Sequence, residues 1–125
     1  MSRVLIDTSV FIDGTRGREA ATAFLRDSVD AGEVWSVTPV RTEVLWSVRP
    51  DELVAMRRLF ASTYWLEVSE SIADRAGYFG QRYGRSHGLD VVDAIVAAAA
   101  EFLSADLATV NVKDFPMFPG LRRPY

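Results

Sequence analysis

The sequence predicts an α/β protein, a three-layer α/β/α sandwich around a central, mainly parallel sheet of about four to five strands. Short apolar runs at 3–6, 34–37, 64–68 and 107–110 have the length and composition of buried strands. Longer segments with apolar residues at helical spacing separate them. Strands joined through helices, rather than through tight turns, pair in parallel by right-handed crossovers, and this favours the layered fold.

The first half of the chain contains two predicted strands and three predicted helices. The strand at 3–6 ends at Asp7. Thr15 is predicted to cap a helix over 16–31 that ends at Gly32. After the strand at 34–37, Thr38 and Pro39 predict the start of a helix through residue 48, and a further helix begins at 50–51. The residues predicted on the inner side of the 16–31 helix are Ala20, Ala23, Phe24 and Val29.

The second half repeats the pattern. After the strand-like segment 64–68, Ser69 is predicted to cap a helix reaching Tyr83, and Gly84 and Gly88 are predicted to break the chain. A helix over 90–103 precedes the last strand at 107–110 and a loop containing three prolines. Without repeats or linkers, residues 1–125 are predicted to form one domain.

Composition limits the classes of function. The chain has 125 residues, 49% of them hydrophobic, and no cysteine, so disulfides and thiolate zinc sites are excluded. Neither the apolar start of the chain nor the helix at 90–103 is long enough for a signal peptide or a membrane span. A cytoplasmic protein that does not enter a membrane is therefore predicted.

The formal net charge of −3 argues against nucleic-acid binding through a basic surface. That argument weakens if several carboxylates belong to one metal site, because the cation offsets their charge. Candidate phosphate contacts exist, although a solvated helix face explains them equally well. They are Arg16, Arg18, Arg82 and Arg85. The single histidine, His87, is predicted to be a surface loop residue.

Acidic side chains recur where strands end. Asp7 follows the first strand, with Thr8 and Ser9 beside it as supporting residues, although an aspartate there could also be a helix cap or turn residue. Thr109 lies near the end of the last strand, and Asn111 and Asp114 follow it. Because open parallel sheets place their sites beyond the carboxyl ends of the strands, these residues are predicted to share one pocket.

Two helices supply further acids. Glu43 lies near the start of the helix that begins at Thr38, where the helix dipole alone could also favour it. Asp93 interrupts an otherwise apolar helix, and an unpaired buried carboxylate costs several kcal/mol. It therefore needs a cation, an arginine or the edge of a cleft. Asp90 lies three residues earlier on the same face, as a supporting residue or as the helix cap.

The combination predicts a metal site. Two carboxylates about 4.5 Å apart repel by roughly 4 kcal/mol at an effective dielectric near 20. A domain with only about 5–15 kcal/mol of net stability does not readily hold several of them ionised and empty. Oxygen ligands without histidine or cysteine favour Mg²⁺ or Mn²⁺ over zinc.

At these residues the sequence resembles the PIN-domain family, and within it the VapC-type toxin ribonucleases of type II toxin–antitoxin systems. The resemblance covers the whole chain and is carried by Asp7-Thr8-Ser9, by Thr42-Glu43-Val44, by the segment from Asp93 to Ala99 and by the segment from Thr109 to Phe115. It implies an Mg²⁺- or Mn²⁺-dependent endoribonuclease with a PIN-like fold. The family's fourth position is often acidic, but Asn111 occupies it here and the nearest acid is Asp114.

The resemblance implies that Asp7, Glu43 and Asp93 are catalytic metal ligands. Two interpretations stay open for the fourth position: Asp114 joins the ligands, directly or through water, or Asn111 orients a water or phosphate. It also implies a homodimer, inhibition by a cognate antitoxin and cleavage of structured RNA. Attack by water predicts 5′-phosphate and 3′-hydroxyl ends.

Two alternatives stay open. Aspartyl phosphotransfer of the haloacid dehalogenase type typically has a second aspartate two residues after the first, where this chain has Ser9. The other alternative is a non-catalytic RNA-binding or regulatory PIN-like module, against which the intact Asp7, Glu43 and Asp93 argue.

Overall fold

The computed structural model describes residues 2–125. Its strands are β1 (Ser2–Ile6), β2 (Gly32–Val37), β3 (Tyr64–Leu66) and β4 (Asp106–Ala108), which form one parallel sheet in the order β3-β2-β1-β4. Its helices are α1 (Thr8–Thr15), α2 (Glu19–Ala31), α3 (Thr38–Ser47), α4 (Leu53–Ala61), α5 (Glu70–His87) and α6 (Val91–Leu103). Single-turn 3₁₀ helices occupy Pro50–Glu52 and Val112–Asp114. The predicted α/β fold with a parallel sheet of about four strands is confirmed.

The central strand β1 explains the layering. Leu5 and Ile6 are consecutive and both are fully buried. Successive side chains of a strand point to opposite faces, so both faces of the sheet are covered. Helix α6 contacts β1, β2 and β4, and α5 packs on α6. Within residues 2–125, no helix is long and apolar enough to cross a membrane.

The structure corrects the prediction at the start of the chain. The predicted helix over 16–31 begins only at Glu19, and Thr15 ends α1 instead of capping α2. Helix α1 was not predicted, although a helix cap was one of the two interpretations of Asp7, and the structure shows that Asp7 does cap a helix. Gly17, with a φ of 73°, makes the turn between α1 and α2.

This break changes which side of α2 faces inward. Ala21 and Leu25 are buried and Phe24 is half-buried. By contrast, Ala20 and Ala23 are exposed, and Val29 is 44% exposed. The predicted inner face was therefore wrong except for Phe24.

Several other element ends differ from the prediction. Strand β4 covers Asp106–Ala108 rather than 107–110, because the chain turns at Thr109, whose hydroxyl accepts the Asn111 N–H at 3.0 Å. Strand β3 ends at Leu66, two residues early. Val37, not Thr38, is the N-cap of α3. Helix α5 has the predicted Ser69 cap but continues through Gly84, and it ends where Gly88 takes a left-handed φ of 65°.

Candidate active site at the carboxyl edge of the sheet

Asp7 stands directly beyond β1 and is 5% exposed. It is the N-cap of α1: its Oδ1 accepts the Val10 N–H at 3.3 Å and the Ser9 hydroxyl at 2.5 Å. Burial raises the pKa of Asp7, while hydrogen bonds from Ser9, Thr109 and the backbone act to lower it. Asp7 is therefore a helix cap, as the alternative interpretation held. The same carboxylate also lines the pocket described below, so Asp7 belongs to the site as well.

Ser9 also links two strand ends. Its hydroxyl oxygen accepts the N–H of Val110 at 3.2 Å while it donates to Asp7. The loop after β4 is thereby attached to the carboxylate after β1. Thr109, which is fully buried, approaches Asp7 from the same side.

Glu43 comes from α3, one turn beyond the end of β2. Its neighbours Val40 and Val44 are fully buried, so Glu43 lies at the rim of a packed helix face. The Thr8 hydroxyl donates to its Oε1 at 2.5 Å. This hydrogen bond holds the Glu43 carboxylate next to the start of α1 and therefore next to Asp7.

Asp93 lies in the first turn of α6 and is half-buried. Asp90 is the N-cap of this helix, and its Oδ1 accepts the Asp93 N–H at 2.8 Å. Burial is the largest cause that raises the pKa of Asp93, and together with the negative charges of Asp90, Asp114, Asp7 and Glu43 it brings this pKa to about 7. Asp93 therefore responds to each of the other acidic groups of the site.

The segment after β4 brings in the last predicted residues. Asp114 ends the 3₁₀ helix Val112–Asp114 and is half-buried. Phe115, immediately after it, is 1% exposed and anchors the segment in the core. Asn111 is exposed on the rim. Although position 111 holds an asparagine instead of an acid, Asp114 still places a carboxylate at the pocket.

These side chains line one acidic pocket of about 260 Å³. Its lining residues are Asp7, Thr8, Ser9, Glu43, Asp90, Val92, Asp93, Val96, Asn111 and Asp114. Within residues 2–125, none of its carboxylates forms an ion pair with a basic side chain. In that same range, no three acidic or histidine groups are so close that they could hold a metal ion as they stand.

The predicted arginine contacts lie elsewhere. Arg16 pairs with Glu52 at 3.3 Å, and Arg18 pairs with Asp13 at 3.1 Å. Arg82 and Arg85 are exposed on α5, and none of the four lines the pocket. His87 is exposed as predicted, although it is the last residue of α5 rather than a loop residue.

Sequence reasoning missed two features of the site. One is the second hydrogen bond of Ser9, to the N–H of Val110, which joins residues 101 positions apart. The other is Trp46, three residues after Glu43 and 88% exposed. Spacing of three on a helix places two residues on one face, so the motif around Glu43 contained the signal for Trp46.

Fold and site together define an open parallel α/β protein with a carboxylate pocket suited to a hard divalent cation. Comparison with known proteins makes this more specific. The PIN domain family model matches residues 4–117. Ribonuclease VapC19 of Mycobacterium tuberculosis is 43% identical over 123 residues, covering 97% of this chain and 98% of that protein. Ribonuclease VapC10 of the same organism is 35% identical, covering 98% and 92%.

Among solved structures, a toxin–antitoxin complex from Klebsiella pneumoniae contains a chain with a TM-score of 0.74 and 26% identity, covering 98% of both chains. The chain belongs to the PIN-domain family, and the VapC proteins are its relatives within that family. The resemblance inferred from the acidic motifs is therefore confirmed.

Proposed function

We propose that this protein is an Mg²⁺- or Mn²⁺-dependent endoribonuclease and the toxin of a toxin–antitoxin pair. One observation carries the proposal: Asp7, Glu43, Asp93 and Asp114, from four separate segments of the chain, line one pocket without a basic partner among residues 2–125. The names of the VapC relatives, both called ribonucleases, support the choice of RNA as substrate.

The donor set fits a hard cation. All the polar groups of the pocket are carboxylate, hydroxyl or amide groups, which suits Mg²⁺ or Mn²⁺. The raised pKa of Asp93, caused first by burial and then by the neighbouring acids, supports a site that disfavours a further negative charge when no cation is present. Asp7, Glu43 and Asp93 would hold the ion, with Asp114 completing the site. Binding requires the carboxylates to turn toward a common point, because they do not converge without an ion.

When bound, the ion supplies positive charge for the phosphate and lowers the pKa of water. The chain itself supplies orientation. Ser9 and the start of α1 fix the Asp7 carboxylate, and Thr8 fixes that of Glu43. In the ion-free chain the pKa of Asp93 is about 7, so Asp93 would release its proton near neutral pH when it binds the ion. Water as the nucleophile leaves 5′-phosphate and 3′-hydroxyl ends on structured RNA.

Partners and location follow from the same family. The similarity to a chain in a toxin–antitoxin complex supports an antitoxin as the protein partner. We propose that the protein forms a homodimer, which brings two acidic pockets into one assembly. We also propose that it works in the cytoplasm, where structured RNA is present.

The test is cleavage of RNA by the purified protein in Mg²⁺, in Mn²⁺ and in EDTA, with the ends of the products identified. We expect cuts with either ion, none in EDTA, and 5′-phosphate ends. Asp7→Asn should remain folded and lose cleavage. Products with 2′,3′-cyclic phosphates would contradict the mechanism, and equal cleavage by the variant would contradict the site.

A non-catalytic RNA-binding module is the second candidate, favoured by the separation of the acidic groups in the absence of an ion. It predicts RNA binding without cleavage under any metal condition. Isothermal titration with Mn²⁺ separates the two readings further, because the nuclease requires an ion site that Asp7→Asn and Asp93→Asn both weaken.

A further inference from the structure

Trp46 is the most exposed of the large hydrophobic side chains, at 88%. The other two tryptophans are half-buried and occupied by neighbours. Trp35 stacks on Tyr64, with ring centroids 5.2 Å apart, and Trp65 stacks on Phe11 at 5.4 Å. Trp46 therefore differs from them in presenting an indole surface to solvent.

The position of Trp46 is more informative than its exposure. It lies on α3 one turn after Glu43, beside a second cavity of about 320 Å³. We call this cavity the tryptophan cavity, and it is lined by Thr8, Thr42, Glu43, Trp46 and Ser47. Thr8 and Glu43 also line the acidic pocket, so the two cavities adjoin through that hydrogen-bonded pair.

We propose that Trp46 is a substrate-binding residue that stacks on an unpaired nucleobase next to the phosphodiester bond that is cut. The inference rests on the proposed function and names its substrate class, RNA with an unpaired base at the cleavage position. Nucleobases that are free of a duplex stack on exposed aromatic side chains, and this contact tolerates any base.

The charges around the two cavities favour stacking over phosphate contacts. Among the described residues, neither cavity is lined by a lysine, an arginine or a histidine. In the ion-free protein, the side chains that line these two cavities therefore offer RNA an uncharged contact rather than a positive charge. Among the residues that line the two cavities, the aromatic side chain is Trp46, which lines the tryptophan cavity.

The lining also favours a base over an apolar protein surface. Around the indole, the tryptophan cavity presents two threonines, a serine and a glutamate. The three hydroxyls already donate within the chain, so what they offer a ligand is acceptor oxygens, together with the second oxygen of Glu43. An apolar partner segment would bury these acceptors without a donor, which is costly. A nucleobase presents donors and acceptors at its edge, so its face can meet the indole while its edge meets the hydroxyls.

Tryptophan fluorescence provides a direct test, because Trp46 is the indole open to solvent. Binding is measured in EDTA, so that RNA stays intact, using single-stranded hexaadenylate and an abasic ribose-phosphate hexamer of the same charge. We expect hexaadenylate, and not the abasic strand, to quench the fluorescence. Trp46→Ala should weaken hexaadenylate binding by about 5- to 150-fold, since stacking contributes about 1–3 kcal/mol per base.

Two further variants make the test specific. Trp46→Phe keeps an aromatic face and should retain most of the affinity. Phe102→Ala removes an aromatic side chain that is 62% exposed. Phe102 lies in the last turn of α6, at the end away from Asp93, so this variant should bind RNA with unchanged affinity. The ratio of wild-type to Trp46→Ala affinity should be the same at low and high salt, because stacking releases no counterions.

Other results overturn the inference. Equal RNA affinity of wild type and Trp46→Ala removes Trp46 from substrate binding. If Trp46→Ala instead changes the oligomeric state measured by light scattering and leaves RNA affinity unchanged, the indole is a contact between copies. Binding that depends on the bases, without cleavage in Mn²⁺, would contradict the proposed nuclease activity but support the stacking site. Failure of the nuclease proposal can therefore be distinguished from failure of the Trp46 proposal.

Discussion

The two edges of the sheet treat charge in opposite ways. At the amino edge, the larger cavity, about 430 Å³, is lined by groups of both signs, among them Arg3, Glu33 and Asp106. Arg3 pairs with Glu33 at 3.1 Å, and hydrogen bonds from Trp35 and Arg3 hold the pKa of Glu33 below its usual value. At the carboxyl edge, the smaller pocket is acidic, and the pKa of Asp93 rises to about 7.

The two edges differ in whether the chain itself supplies a partner for each charge. At the amino edge the basic partner is part of the chain, so the charges are balanced in the free protein. At the carboxyl edge the described residues supply no such partner, and the imbalance is relieved only by protons or a bound cation.

The largest expected effect comes from removing one acid at each edge. Asp93→Asn at the carboxyl edge should lower RNA cleavage at saturating Mg²⁺ by at least about 100-fold, because the lost ligand contributes several kcal/mol of transition-state stabilisation. Asp106→Asn, at the start of β4, is the matched control and should cleave like wild type. Similar losses in both variants would mean that the edges do not differ in function.

Ser9→Ala tests how the carboxyl edge is built. The variant removes a donor to the buried Asp7 carboxylate and an acceptor for the Val110 N–H, so unfolding in urea should show a loss of about 1–3 kcal/mol. The control is Ser28→Ala beside the amino-edge cavity, where the hydroxyl only donates to the Phe24 carbonyl within α2. That substitution should change stability by less than about 0.5 kcal/mol.

Ion-free stability should depend on pH through Asp93. Below about pH 4 the group is protonated in both folded and unfolded chains. Between there and about pH 7 the unfolded chain releases the proton and the folded chain keeps it, so stability falls as pH rises. The loss should be about 1–2 kcal/mol, allowing for the solvent screening of a half-buried group. Asp7, whose pKa is also raised, acts in the same direction.

Thermal melts at pH 4 to 8 in EDTA measure this fall, and Asp93→Asn should remove most of it. Added Mg²⁺ should restore stability mainly above pH 7, where the carboxylates are free to bind it. Equal pH dependence of wild type and Asp93→Asn would mean that the folded chain does not raise the pKa of Asp93.

The smallest effect is expected at the amino edge. Arg3→Ala removes an exposed pair, and exposed pairs contribute little to stability. Its melting midpoint should stay close to that of wild type, and RNA cleavage should be unchanged. A clear loss of cleavage would show that the amino edge takes part in substrate binding.

Much of the fold was predictable because the alternation of strands and helices fixes parallel connections. The acids after β1 and β4 were predictable for the same reason, since parallel strands end at one edge. Asp93 could be identified because a charge inside an apolar helix requires an explanation. Helix α1 was missed because the helix cap and the pocket residue were treated as alternative roles of Asp7, whereas Asp7 has both.

The contacts that orient the acids were beyond sequence reasoning. Thr8 meets Glu43 across 35 positions, and Ser9 meets Val110 across 101. These hydrogen bonds form only if each helix begins at the right distance from the end of its strand, to within a fraction of a helical turn. Local patterns do not contain that information. The same limit explains why the strand ends at Leu66 and Ala108 were misplaced by two residues each.

Asp90 shows how closely folding and acidity are joined in this protein. Its side chain caps α6 by accepting the Asp93 N–H, a kind of bond that stabilises a helix by about 1 kcal/mol. The same side chain, through its charge, opposes ionisation of Asp93. Serine or asparagine at position 90 could retain the cap and relieve the repulsion. Choice of residue at this one helix start therefore tunes the proton affinity of its neighbour without altering the backbone that positions it.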